Sequence, residues 1–406
     1  MLDIAYIRER ADEIKQNCVN RGVVCDVDLL LAVDIKRREL IAQSESLRAQ
    51  QKRTTDRDEA VRLKEQFKIM DAELRDAEAD YRVLISMVPN LTHPDVPIGG
   101  DNDYKVLDTM GEPPAFSFTP KDHETLLTQR DLIDFERGAK VTGSKFYFTK
   151  GDLVRLNQAL IAYGIDTVAR HEYALVETPD LAKDEILSGI GYNPRGPETQ
   201  VYSVERTDLS LIGTAEITIG GYHAGEILDL SAGPKKYVAL SHCFRTEAGA
   251  YGRVSQGLYR VHQFTKLEMF VFCRPEESEQ YHQEILAIER ELADGLGLPY
   301  RVIDTASGDL GGPAFRKYDL EAWMVMKDGY GELTSASNCT DYQARRLGIR
   351  YRTPDGGTAL VHTLNGTAVN TARWPLAIVE NFQNEDGSVR VPEALRPYMG
   401  GRDTIS

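Results

Sequence analysis

The chain has 406 residues, 42% of them hydrophobic, enough to bury a large core and to divide into two domains. A formal net charge of −15 excludes a protein dedicated to non-specific nucleic-acid binding, while allowing a local basic strip that grips one RNA. Cys18, Cys25, Cys243, Cys273 and Cys339 form no CxxC pair and no metal spacing, and neither a signal peptide nor a membrane-length apolar run is present, so a soluble cytoplasmic protein with reduced thiols is expected.

Residues 1–22 read as a short amphipathic helix stopped by Gly22. Asp26 or Asp28 is placed to cap a second helix running to about Arg53, on which Val33, Leu40 and Leu47 recur every seven residues. After a polar break at Thr54–Asp58, Leu63, Phe67, Met70, Leu74, Ala77, Tyr81, Leu84 and Val88 step alternately by four and three. That period is a coiled-coil seam, and two such helices joined by a short turn form an antiparallel hairpin. Lys36, Arg37, Arg38, Arg48, Lys52 and Arg53 lie along the first helix and its tip. They suit a solvated face or a dimerisation arm as well as RNA. Pro89, Pro94 and Pro97 then end the helical region, which sets a domain boundary near residue 100.

Leu153 to His171 has helical periodicity and leads to a strand that ends at Pro179. Thr214 and Glu216, two apart in Gly213–Glu216, are expected to face the same way on a strand. The stretch CFRTEAGAYGRVSQGLYRVHQFTKLE, residues 243–268, alternates at strand period on both flanks of a glycine-rich segment and reads as a β-hairpin with a long loop. On that reading Arg245 and Glu247 share one face, as do Arg260, His262, Phe264, Lys266 and Glu268, while Val261, Leu267 and Met269 turn to the other. Arginine forks match phosphate oxygens, a ring stacks on a nucleobase, and a carboxylate holds an ammonium group. A plain exposed face laced with ion pairs is the competing reading.

Residues 275–296 read as an acidic amphipathic helix. Gly308, Gly311 and Gly312 are not followed by GKS/T, which argues against a P-loop, and YDLEAW reads as a core strand. Glu332 and Ser335, in Glu-Leu-Thr-Ser, offer the oxygen ligands that Mg²⁺ takes when it also binds phosphates. Asn365-Gly366-Thr367 is expected at a strand end or turn, and Arg373 enters a helix whose first turn holds Pro375.

FRTEAG followed by GLYRVHQFTKLE resembles motif 2 of the class II aminoacyl-tRNA synthetases, in the form found in seryl-tRNA synthetases. RRELIAQSESLRAQ resembles the first helix of that family's arm, the long helix and strand before Pro179 resemble motif 1, and residues 362–401 resemble motif 3. The resemblance implies an α+β fold, an antiparallel sheet flanked by helices behind an antiparallel coiled-coil arm. Residues 1–100 would be the tRNA-binding arm and residues 101–406 the catalytic domain, paired as a homodimer through motif 1. It also implies ATP-dependent activation of L-serine and transfer to tRNA-Ser, with tRNA-Sec left open as a second acceptor.

Site residues follow from the same resemblance. Arg245 is expected at the α-phosphate, Arg260 and Arg373 at the γ-phosphate end, Phe264 on the adenine, and Glu247 beside it. Thr246, Leu333 and Thr334 complete the ATP set. Glu332 and Ser335 are expected to hold Mg²⁺. Glu216 and Glu268 are expected on the serine ammonium, with Thr214 and Ala215 nearby and Thr367 near the substrate hydroxyl. Departures from the family pattern occur at Val254 and Gln256, where a charged pair is usual, at Thr367, where the bacterial pattern has serine, and at Asn370. Two other classes remain open, a ligase that loads a carrier protein instead of tRNA and a non-catalytic relative.

Overall fold

The computed structural model describes residues 1–192, 200–247 and 257–406. At the N-terminus two short helices, Ile4–Glu9 and Ala11–Asn20, replace the single expected one. Arg10 leaves helical geometry between them, and Gly22 turns the chain with φ at +64°. Asp26 caps the helix Val27–Arg53 by accepting the Leu29 N–H at 2.8 Å. Asp56 caps Arg57–Met87 through the N–H groups of Asp58 and Glu59, so the polar turn is shorter than expected. The predicted seam from Leu63 to Val88 is buried or half-buried at every position. Two of the six basic residues there reach across the hairpin, and a third is held within its own helix. Arg37 lies over the Tyr81 ring, Arg48 over Phe67, and Arg38 donates to the buried Asp34 at 3.1 Å.

The root of this arm is tied to the rest of the chain by buried polar contacts. Arg21 donates to the carbonyls of Asn90, at 3.2 Å, Ala314, at 2.9 Å, and Gly311. The Asn90 amide donates to Pro313 O at 2.8 Å and Cys339 O at 2.9 Å. Burial lowers the Arg21 guanidinium to about 10.

The main body is built on one eight-stranded sheet. Its strands are β1 (Lys105–Met110), β2 (Ala174–Glu177), β3 (Lys235–Phe244), β4 (Gln263–Cys273), β5 (Tyr300–Asp304), β6 (Arg316–Met324), β7 (Gly329–Asn338) and β8 (His362–Asn370), in the spatial order β1-β5-β6-β7-β8-β4-β3-β2. All neighbours are antiparallel except the edge pair β2–β3. Asn365-Gly366-Thr367 lies inside β8, not at its end. The reason is visible beneath Gly366, where a Cβ would stand 2.2 Å from Ile285 Cγ2 on the helix Ser278–Leu296. The glycine admits that helix against the sheet. Leu267 and Met269 of β4, Leu364 and Val369 of β8, the helix Gly151–Ala169 and the helix Arg373–Asn381 close the main hydrophobic core on this side. No described helix is long and apolar enough to cross a membrane.

Candidate active site

The hairpin is present, but its strands are shorter than the alternation suggests: β3 stops at Phe244 and β4 begins at Gln263. Phe264, Lys266 and Glu268 therefore share a face, opposite Cys243, Ser241 and Ala239 of β3. Arg245, Glu247, Arg260 and His262 lie beyond the paired strands, where period two no longer governs direction. Glu247 has φ at +52°, left-handed backbone that is uncommon for a side-chain-bearing residue, and it aims its carboxylate at Arg260, 2.8 Å away. His262 turns aside to the Tyr202 hydroxyl and packs on Phe146, so it leaves the polar face it was expected to join. Gly249, Gly252, Val254 and Gln256 fall outside the described residues.

A cavity of about 480 Å³ opens on this face of the sheet, lined by eleven of the residues expected in the site: Glu216, Arg245, Glu247, Arg260, Phe264, Glu268, Glu332, Leu333, Ser335, Thr367 and Arg373. Each arginine is held by neighbouring protein groups. Arg245 donates to Gly213 O at 3.2 Å and lies over the Phe264 ring, 5.3 Å from its centroid. Arg260 is paired with Glu247. Arg373 meets Glu332 at 2.8 Å and lies over Tyr259 at 5.0 Å. A fork held by a carboxylate or a ring loses little side-chain freedom on meeting a phosphate.

Glu332 and Ser335 are three apart, which on a regular strand would set them on opposite faces. The register between β6 and β7 slips here: Leu320 pairs with Thr334 and Glu321 with Glu332, leaving Leu333 unpaired. This bulge brings both oxygen donors to the cavity. Burial pushes the Glu332 carboxyl up, but the Arg373 and Lys317 charges override it and bring it to about 2. Thr334 points the other way, donating to Glu289 at 2.9 Å beneath the sheet, and takes no part in the cavity. Among the described residues no group of three or more His, Cys, Asp or Glu could hold a metal unaided. The Glu332–Ser335 pair fits Mg²⁺ when phosphate oxygens supply the remaining ligands.

At the other end, Gly213–Glu216 is a helix start and not a strand. Thr214 is the N-cap of Ala215–Tyr222, its Oγ1 accepting the Glu216 N–H at 3.2 Å, because a hydroxyl ahead of an acidic first turn satisfies the free N–H groups there. Thr214 and Ala215 are buried beside the cavity without lining it; they set the direction of Glu216. Thr246 likewise lies off the lining and donates its N–H to Gln200 O.

The Glu216 carboxylate accepts from the Gln343 amide at 2.8 Å and the Asn365 amide at 3.1 Å. Burial, then the charge of Glu268, raises its pKa to about 7. Glu268 is paired with Lys266 and accepts from the Thr367 hydroxyl at 3.3 Å. Sequence reasoning gave no role to Lys266, Gln343, Asn365 or Tyr259. Lys266 alone carried a signal, being on the same face of β4 as Phe264 and Glu268. Asn370, noted as a departure, braces the start of the next helix: its side-chain oxygen accepts from Arg373 N at 2.7 Å while its amide donates to Leu333 O at 3.0 Å.

Residues 201–382 match the model of the tRNA synthetase class II core domain (G, H, P, S and T), and residues 1–57 match that of the seryl-tRNA synthetase N-terminal domain. The mostly antiparallel sheet, with a cavity on one face lined by Arg245, Arg260 and Arg373 from the segments around it, is a class II synthetase core. The chain is 51% identical to a serine–tRNA ligase of Rubrobacter xylanophilus, over 98% of both chains. It is 49% identical to that of Treponema denticola, over 98% of this chain and 99% of the other. The crystal structure of seryl-tRNA synthetase from Pyrococcus horikoshii complexed with ATP superposes with a TM-score of 0.90 at 36% identity, covering 100% of this chain and 99% of that one. The chain belongs to the seryl-tRNA synthetases.

Proposed function

We propose that this cavity activates L-serine with ATP and that the chain then transfers the seryl group to tRNA-Ser. The observation that carries the reading is the convergence of Arg245, Arg260 and Arg373 on one cavity whose far end holds Glu216, Glu268 and Thr367. In the first step the serine carboxylate oxygen forms a bond to the α-phosphorus of ATP as the bond to pyrophosphate breaks. In the second, a ribose hydroxyl at the 3′ end of the tRNA attacks the seryl carbonyl and AMP leaves. Neither step needs a protein nucleophile. Positioning and charge neutralisation in a partly dry site carry the rate.

Arg245 meets the α-phosphate, Arg260 and Arg373 the γ-phosphate end, and Phe264 and Glu247 the adenine. Glu332 and Ser335 would hold Mg²⁺, which when bound neutralises phosphate charge. Glu216 and Glu268 take the serine ammonium, and Thr367 lies beside its hydroxyl. A site that hydrogen-bonds a hydroxyl rejects alanine strongly, because alanine leaves those groups unpaired, whereas threonine must be refused by size. Residues 1–100 serve as the RNA-gripping arm and 101–406 as the catalytic domain of a homodimer working in the cytoplasm.

Pyrophosphate exchange into ATP should appear with serine and with no other amino acid, and Arg245→Ala should abolish it. Charging of tRNA-Ser, measured beside exchange, decides between this reading and a carrier-loading ligase: exchange without charging supports the carrier. Absence of exchange with every amino acid would defeat the enzyme reading.

A further inference from the structure

Behind the cavity wall a buried histidine–carboxylate pair joins the two segments that carry Arg260 and Arg373. His123 opens the short helix His123–Gln129, and both it and Glu380, in the last turn of Arg373–Asn381, are fully buried. His123 Nδ1 lies 2.7 Å from Glu380 Oε1, which also accepts the His123 backbone N–H at 3.1 Å. Glu380 Oε2 accepts the Met326 N–H at 3.0 Å. A carboxylate at Nδ1 keeps the ring proton there and leaves Nε2 as a bare acceptor. Nε2 accepts the N–H of Leu258 at 2.9 Å.

Leu258 is the centre of the turn Gly257–Tyr259, immediately before Arg260. Gly257 has φ at +55°, and a Cβ on it would stand 2.2 Å from His123 Nε2, so the loop approaches the imidazole as closely as backbone can. The next ring, Tyr259, lies beneath Arg373 and, at 3.7 Å, beneath the Lys327 ammonium. Both arginines therefore take their position from one imidazole, one through the turn it anchors and the other through the helix that carries Glu380 in its last turn.

We propose that His123, fixed in its Nδ1–H tautomer by Glu380, is a positioning residue for ATP that holds Tyr259 and Arg260 through the Leu258 N–H. The proposal rests on the assignment of Arg260 and Arg373 to the phosphate end of ATP. Glutamine retains an acceptor near Nε2, whereas asparagine retains a donor near Nδ1 and loses the acceptor. In serine-dependent exchange, His123→Asn should raise KM for ATP about tenfold, the scale of losing the acceptor for one buried N–H. His123→Gln should stay within about threefold of the parent, and KM for serine should move less than about twofold in either. Equal KM for ATP in the two variants, or a serine KM that rises in step with the ATP KM and with loss of Tm, would overturn it. Arg260→Ala, run alongside, separates the layers: if its KM for ATP is unchanged, the site assignment fails and not the histidine link. In the parent protein with ¹⁵N-labelled histidine, the imidazole assigned to position 123 should show the Nδ1–H tautomer, and an Nε2–H or doubly protonated ring there would overturn the proposal without any variant having to fold.

Discussion

Glu216 carries a pH signal that falls near neutrality. Its folded pKa of about 7 lies above the ordinary glutamate value of 4.5. Protonation therefore favours the folded, ligand-free chain: this contribution is fully present below pH 4.5 and is lost as pH rises through 7. The loss is on the order of 3 kcal/mol, measurable as a falling unfolding free energy over that window. Serine binding runs the opposite way, since an ammonium is attracted only by the ionised form. Lowering the pH from 8 to 6 should raise KM for serine about tenfold and leave KM for ATP nearly constant, and Glu216→Gln should flatten the profile at a high KM. A KM for serine that stays level across the window would show that Glu216 does not meet the ammonium. Arg245, Arg260, Glu268 and Arg373, all of which line the cavity, were legible in the sequence through the resemblance to the family's motifs. Gln343 and Asn365 were not, since amides that steer a carboxylate leave no mark in composition or periodicity.

Elements were legible where one period governs a long run. The seam from Leu63 to Val88 is of that kind, because every fourth or third position meets the facing helix. Local geometry defeated the same approach in two places. The slip at Leu333 brings Glu332 and Ser335 together despite their odd spacing, and Thr214 starts a helix where alternation suggested a strand. In both, a hydrogen-bonding detail of one or two residues overrides the period. At this scale the arm offers a clean test. Shortening its tip on both sides of Thr54–Asp58 should leave serine-dependent exchange within about twofold and lower tRNA charging at least about tenfold, as expected when most phosphate contacts are removed. Charging unchanged by the shortened tip would deny the arm its RNA role.

For the whole molecule, the open edge of β2 is the informative surface. Leu175 is 54% exposed on a strand that, among the described residues, pairs on one side only, to β3. Unpaired strand edges with apolar side chains are what a second copy covers. Light scattering should give twice the chain mass, and Leu175→Lys should shift the balance toward monomer; a monomeric parent protein at micromolar concentration would refute the pairing.

Arg21 changes what can be removed from this enzyme. Its guanidinium reaches from the root of the coiled coil to Gly311 and Ala314, both on the wall of the candidate active-site cavity. Cut at residue 100, the remaining fragment would lose the Arg21 and Asn90 clamps on the carbonyls of Gly311, Pro313, Ala314 and Cys339, and that rim would meet water in their place. The N-terminal appendage is also a cornerstone of the pocket, and an isolated C-terminal fragment should handle ATP poorly before any tRNA is offered.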